Sequence, residues 1–250
     1  SLPMSQTLRI GVLGAGHLGR IHLRCLQSLS EKWTLVGHFD PETEANQTTA
    51  LMAEEEGWAH PSTPFTSAKA LIQASDAVAI VTPTEHHVAL AEQVLLAGRH
   101  CFIEKPVATS FEDANRLIVL RDQAGSIVQV GHVERFNPAF QATRLQLDQP
   151  RFIEAHRLAP FNPRGLDVSV VFDLMIHDID LALHALEGDV VKVSANGVAV
   201  AGDSVDIANA RIEFSSGAVA NLTASRVSLS PMRKVRLFKP NAYLSVDLLN

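Results

Sequence analysis

Cysteine is scarce in this 250-residue chain: Cys25 and Cys101 are the only two, far apart and with no CxxC or other metal-ligand spacing around them. That argues against a disulfide framework or a bound metal and for a reducing, cytoplasmic compartment. Long apolar runs are also missing. No stretch reaches the roughly 18 consecutive apolar residues that suggest a membrane span, and the start lacks the basic and apolar regions of a signal peptide. Positive charge is short as well. The net charge is -6 with no local Lys/Arg cluster, so neither nucleic acid nor a membrane surface is an expected partner. No internal repeat, low-complexity tract or Gly/Ser linker interrupts the chain. What remains is an ordinary globular composition, 46% hydrophobic and 19% charged, long enough for one large α/β unit or two modest ones, with two the expectation. Ser1-Leu2-Pro3 ahead of Met4 reads as a cloning remnant and is left out of the fold reasoning.

Apolar, β-branched runs at Leu8 to Leu13, Trp33 to Phe39, Ala77 to Val81, His100 to Ile103 and Ile127 to Val130 alternate with helical patterns. The helices are expected after the first glycine cluster, over Glu42 to Ala53, Ser67 to Ala74, Val88 to Ala97 and Phe111 to Ala124. This rhythm predicts an α/β fold in which a parallel Rossmann sheet carries helices on both faces, over residues 4–131. After Gly131 the rhythm changes. A helix is predicted over Pro138 to Leu147, a turn at Asp148-Gln149-Pro150, a strand over Phe152 to Leu158 and a long apolar helix from Val168 to Leu186 that ends at Gly188. Strand-like runs follow at Val190 to Val200, Val205 to Phe214, Ala218 to Val227 and Val235 to Val246, with turns at Gly202 and Ser215-Ser216-Gly217. Residues 132–250 are therefore expected to form an α+β domain with a largely antiparallel sheet.

Gly14-Ala15-Gly16-His17-Leu18-Gly19 sits where the first strand meets the first helix. In such a place the first glycine permits a tight turn, the second lets backbone approach a pyrophosphate, and the third lets helix and strand pack closely. The helix N-terminus offers free N–H groups to the anion. Asp40, 21 residues beyond Gly19 and at the end of the second strand, is placed to accept hydrogen bonds from ribose hydroxyls and to repel a 2'-phosphate, which favours NAD over NADP. The competing reading is an ordinary βα turn followed by a surface aspartate.

Glu104-Lys105-Pro106 ends the His100 to Ile103 run, at the carboxyl edge where ligands of open α/β sheets collect. Lys105 there is either a generic surface charge or an amine directed at the nicotinamide end of a dinucleotide, suited to exchange a proton with an alcohol. The predicted long helix carries Asp173, His177, Asp180 and His184 at spacings of four, three and four, so all four are expected on one face. Such a stripe on an apolar helix lines a wet cleft, forms a hydrogen-bonded core network, or ligates a metal. Asp173 and His177 are the expected catalytic pair. No further ligand is placed convincingly, so no metal is expected.

At these residues the sequence resembles the glucose-fructose oxidoreductase / inositol dehydrogenase (Gfo/Idh/MocA) family of NAD(P)-dependent sugar dehydrogenases. The likeness runs from about Leu8 to the end and rests on the glycine motif, Thr82-Pro83 with His87 beyond, the block Ala97 to Pro106 ending in Glu104-Lys105-Pro106, and Asp173 with His177. It implies that Lys105, Asp173 and His177 are the catalytic and substrate-binding residues. It also implies that Thr82, Pro83, Glu104 and Pro106, with His87, belong to the cofactor site. The segment Val130 to Pro138 is similar to that of members oxidising a UDP-linked N-acetylhexosamine at its 3-hydroxyl, with Arg135 and Asn137 as candidate substrate contacts. For Arg135 the alternatives are a diphosphate clamp and a bridge to Glu134; for Asn137, a sugar contact and a cap for the helix at Pro138. Two departures stand out: Ser169 replaces a glycine frequent four residues before the helix aspartate, and relatives usually run well beyond 250 residues, so the second sheet is either truncated or naturally short. The likeness further implies a homo-oligomer, dimer or tetramer, formed through the C-terminal sheet.

The function implied is NAD-dependent oxidation of a sugar hydroxyl to a ketone. The alternatives are a dehydrogenase of a free sugar, inositol or another small carbonyl substrate and, in a different class, a non-catalytic NAD-binding regulator, because fold does not dictate function.

Overall fold

A computed structural model describes residues 7–58, 62–143, 150–162, 168–201 and 203–249. The chain divides into two compact units, Ser1–Gly131 and His132–Asn250.

In the first unit β1 (Leu8–Leu13), β2 (Trp33–Phe39), β3 (Ala77–Ile80), β4 (His100–Ile103) and β5 (Val128–Val130) form one sheet in the order β2-β1-β3-β4-β5. Every pairing in it is parallel. The helices are α1 (His17–Ser28), α2 (Thr43–Glu55), α3 (Ala68–Ala74), α4 (His87–Leu96) and α5 (Phe111–Ala124). Because side chains alternate across a strand, the apolar runs supply both faces at once. Ile10, Val12, Ala77 and Ala79 pack with Leu23 of α1, while Leu13, Val78, Ile80 and Ile103 pack with Leu71, Val94 and Leu117 of α3, α4 and α5. Ser67 and Ser110 cap α3 and α5 through their hydroxyls, and Gly125 closes α5 in the left-handed conformation at φ 62°. The chain leaves β1 for β2 on one side and returns to β3 on the other, which opens a crevice at the carboxyl ends of β1 and β3.

In the second unit α6 (Pro138–Gln141) precedes β6 (Phe152–Leu158). A π-helical turn (Val171–Met175) leads directly into α7 (Ile176–Ala185), and β7 (Val190–Val198), β8 (Ile207–Phe214), β9 (Val219–Ser225), β10 (Met232–Lys239) and β11 (Ala242–Asp247) follow. The sheet order is β11-β10-β6-β9-β8-β7, with only the β6–β9 pairing parallel among those formed. Its inward residues, among them Ile153, Ala155, Ala210, Ile212, Leu222 and Leu237, bury against Val170, Met175 and Leu181.

Three expectations are corrected. The run Val235 to Val246 is two strands joined at a tight turn at Pro240-Asn241, since β10 pairs antiparallel with β11 from Lys239↔Ala242 outwards. The helix predicted over Pro138 to Leu147 is α6 as far as Gln141, and 144–149, with most of the turn expected there, lie outside the described residues, as does Gly202. The long helix is not uniform: a π-helical turn, hydrogen-bonded at a wider spacing than the α-helix, stands at its start and carries Asp173.

Candidate functional site

The glycine loop is shaped by what a side chain would strike. Gly14 holds φ +98°, and a Cβ there would lie 2.4 Å from the Val81 carbonyl oxygen; a Cβ on Gly19 would lie 2.0 Å from that of Gly14. These two glycines close helix onto strand. Gly16 differs, because a Cβ there meets nothing within 4 Å: a side chain would stand in open space over the N-terminus of α1. Gly16 is also the N-cap and supplies no side-chain cap, so the first-turn N–H groups of α1 face that space, and His17 and Leu18 are exposed beside it. This cradle fits the pyrophosphate of NAD.

Asp40 is anchored more tightly than its pattern suggests. Its Oδ2 accepts the Ala15 N–H at 2.8 Å and its Oδ1 the Glu42 N–H at 3.0 Å. The Asn46 side chain accepts the Asp40 N–H and donates to its carbonyl. The carboxylate therefore fixes the glycine loop from the end of β2 while keeping lone pairs for ribose hydroxyls. His38 is fully buried on Ser62, 2.6 Å away, and burial lowers its affinity for a proton. It supplies no positive charge to offset Asp40. Beside the loop lies a cavity of about 240 Å³ lined by Leu13, Phe39, Pro41, Thr82, His86 and Leu90. Its apolar walls suit a flat heterocycle such as adenine. Of its lining only Gly14 and Thr82 were singled out by pattern, since Phe39, Pro41 and Leu90 look like ordinary core or turn residues until the loops converge.

Around Lys105 the expected residues divide. Lys105 itself is half-buried and Pro83 exposed. Glu104 is buried and spends both oxygens inside the unit, on His22 and on the Lys105 N–H. His87 is also buried, its ring nitrogens 2.8 Å from the Pro106 carbonyl and 2.9 Å from that of Thr82. It staples the Thr82-Pro83 loop to the Lys105-Pro106 loop. Glu104 and His87 thus hold the Thr82-Pro83 and Lys105-Pro106 loops in place.

In the second unit the four-residue stripe breaks up. Asp173 and His177 are half-buried, and the Nδ1 atom of His177 is buried. Asp180 is buried and takes the Arg135 guanidinium bidentately, 2.6 Å to each oxygen. His184 is exposed, its ring 6.4 Å from that of Phe140. The π-helical turn is one cause, because it shifts the angular relation between Asp173 and the α-helical residues after it. Of the two roles weighed for Arg135, the bridge to Glu134 is replaced by a pair with Asp180. Asn137 caps α6 by accepting the Ala139 N–H, and its amide donates to the Leu248 carbonyl, both at 3.0 Å. Of the two roles weighed for Asn137, the structure shows the cap.

Pattern also missed a charged frame behind this helix. Arg157, 2% exposed on β6, donates to Asp178 at 2.8 Å and stands 3.5 Å from Glu134, itself 3.8 Å from Arg233. Arg226 pairs with Asp206 at 2.8 Å and donates to the Val168 carbonyl at 2.7 Å, just before the helix. The N–H groups of Ala201 and Val200, with Arg226, hold the Asp206 carboxyl down at about 2. Among the described residues no cluster of three His, Cys, Asp or Glu side chains is arranged to hold a metal, and no helix is long and apolar enough to cross a membrane.

Comparison with known proteins agrees with this geometry. Residues 8–132 match the oxidoreductase family with an NAD-binding Rossmann fold, and residues 140–238 match the Gfo/Idh/MocA C-terminal domain. UDP-N-acetylglucosamine 3-dehydrogenase from Acidithiobacillus ferrooxidans is 43% identical over 244 residues, covering 97% of this chain and 75% of that enzyme. A solved structure of the same enzyme superposes with a TM-score of 0.89, covering 98% of this chain and 78% of that one. The scyllo-inositol 2-dehydrogenase (NAD(+)) of Bacillus subtilis is 29% identical, covering 90% of this chain and 69% of that enzyme.

Proposed function

The chain belongs to the Gfo/Idh/MocA oxidoreductase family, and we propose that within it this protein oxidises a UDP-linked N-acetylhexosamine at the C3 hydroxyl to a ketone. The observation that carries the substrate is the 43% identity to UDP-N-acetylglucosamine 3-dehydrogenase across 97% of the chain. The first unit is the NAD-binding domain of the family, and the open space over Gly16 and the anchored Asp40 support that assignment in this chain's own residues. NAD, when bound, supplies the hydride acceptor. We assign the rest to side chains. The Nζ of Lys105 and the Nε2 of His177 bind the reacting hydroxyl and take up its proton, and Asp173 orients them for that transfer. Asp40 selects NAD by leaving no room for a 2'-phosphate free of repulsion. The second unit is assigned to substrate binding and to pairing of subunits through its sheet, in a protein working in the cytoplasm.

A free polyol is the second reading, favoured by the 29% identity to scyllo-inositol 2-dehydrogenase. The two are separated by following NADH absorbance with UDP-N-acetylglucosamine, its uronic acid and inositol in parallel, with an aminotransferase added to draw off any ketone. Turnover of the UDP-sugars is expected. Turnover of inositol with no reaction of any UDP-sugar overturns the substrate assignment. Lys105→Met and His177→Ala should each lower turnover by about 10²- to 10⁴-fold with NAD binding kept, and near-normal turnover of Lys105→Met removes that lysine from the mechanism.

A further inference from the structure

We propose that His22 and Glu104 form a positioning pair that holds the backbone of Lys105, a role that rests on the reading of Lys105 given above. Nothing in the motif predicts His22, which lies on α1, 82 residues from Glu104 in sequence. Its Nε2 lies 2.8 Å from Glu104 Oε1, while Glu104 Oε2 accepts the Lys105 N–H at 3.1 Å. The His22 ring is itself packed 5.3 Å from that of Phe102 on β4. The third wall is backbone: a Cβ on Gly131, just past β5, would lie 2.9 Å from Glu104 Oε2 and 3.0 Å from its Cδ. A carboxylate taken out of water is costly unless its oxygens are bonded. Here one oxygen is bonded to a residue on α1 and the other to the peptide N–H that precedes the Lys105 side chain.

The arrangement constrains that peptide from both sides. Before it, the Glu104 N–H donates to the Ile80 carbonyl at 3.0 Å; after it, His87 is bonded to the Pro106 carbonyl. The backbone is thus bonded on either side of Lys105, and the root of its side chain is held by the Glu104 carboxylate. Displacing a reacting group by about 1 Å costs about 10²-fold in rate, even when the change is made elsewhere. Loss of the pair should therefore appear in turnover and not in cofactor affinity, which depends on the glycine loop and Asp40.

The test perturbs the carboxylate from two directions. His22→Ala removes its partner, and Gly131→Ala pushes on it with both partners present. Each is expected to speed hydrogen exchange at the Lys105 amide and to lower kcat by about 10- to 10²-fold, with NAD affinity by calorimetry unchanged. His22→Gln, whose amide reaches the same oxygen, should restore most of both losses. Thermal melts followed by fluorescence of Trp33 and Trp58, both in this unit, show that the variants remain folded. An unchanged Lys105 amide in both His22→Ala and Gly131→Ala overturns the proposal. So does normal turnover in both while Lys105→Met is inactive. Turnover surviving in Lys105→Met instead overturns the role of that lysine, and the amide exchange still reports whether the pair holds its backbone.

Discussion

In the first unit the groups offered to a ligand are largely backbone, exposed by the lack of a side chain at Gly16 and held by close contact at Gly14 and Gly19. In the second the groups we assign to the substrate are side chains, Asp173 and His177, and their helix is held by charges: Arg157 on Asp178, Arg135 on Asp180, and Arg226 on the carbonyl before its first turn. A backbone cradle fails by steric collision, while a charged frame fails by leaving an ion without its partner. The units should therefore respond to different insults, and the two tryptophans, both in the first unit, allow its unfolding to be followed apart from the far-UV signal of the whole.

The largest effect is expected from Arg157→Met. It leaves Asp178 buried without its guanidinium, a loss of about 3–5 kcal/mol typical of breaking one side of a buried pair. Urea denaturation by far-UV circular dichroism should show early loss of structure while the tryptophan transition stays in place. The double variant Arg157→Met/Asp178→Leu should recover much of the loss, because no charge is then stranded. A single variant as stable as the wild type would mean that the frame does not hold the second unit.

Gly19→Ala comes next. Its Cβ would meet a carbonyl oxygen at 2.0 Å, and overpacking of this kind costs about 1–3 kcal/mol, here read in the tryptophan transition. Gly16→Ala, with nothing within 4 Å of its Cβ, should melt like the wild type and lose NAD affinity. Equal melting of the two variants would contradict the division of labour among the glycines.

The smallest effect is expected in acid. Asp76 is held down at about 2 by hydrogen bonds from the side chain and backbone of Arg9, and Asp206 at about 2 by the Ala201 and Val200 N–H groups and Arg226. Both carboxyls bind a proton less readily folded than unfolded, so their stabilisation is complete above the ordinary carboxyl value of 3.8. It is lost as pH falls from there towards about 2. Asp76→Asn should flatten the acid side of the tryptophan transition, and Asp206→Asn that of the far-UV signal. Because the Asp76–Arg9 pair is partly exposed and Asp206 is buried, added salt should weaken only the first. A salt response as large at Asp206 would show that water reaches its frame.

Much of the fold was legible because local rules and tertiary structure agree. The strands of the first unit fall where β-branched apolar runs predict them, and β6 spans the predicted Phe152 to Leu158. The hairpin between β10 and β11 is marked in the sequence by Pro240-Asn241, two turn-favouring residues, but a reading by apolar residues alone runs through them from Val235 to Val246. The π-helical turn was not legible, since Val171 to Met175 has the same apolar periodicity as the α-helix it precedes.

By itself the sequence determined where the chain can have no side chain and where apolar residues must alternate, because each depends on one residue and its near neighbours. That is enough for the Rossmann sheet, the glycine cradle and the position of Lys105 at a strand end. Which partner each charged residue takes was decided only by the tertiary structure. Arg157 and Asp178 lie 21 residues apart and Arg135 and Asp180 lie 45 apart, and each carboxylate had several arginines to choose from. Sheet register turns Arg157 inward on the same face as Ile153 and Ala155, and at that point the cost of burying an unpaired charge requires the carboxylates that the fold brings there, Asp178 at 2.8 Å and Glu134 at 3.5 Å.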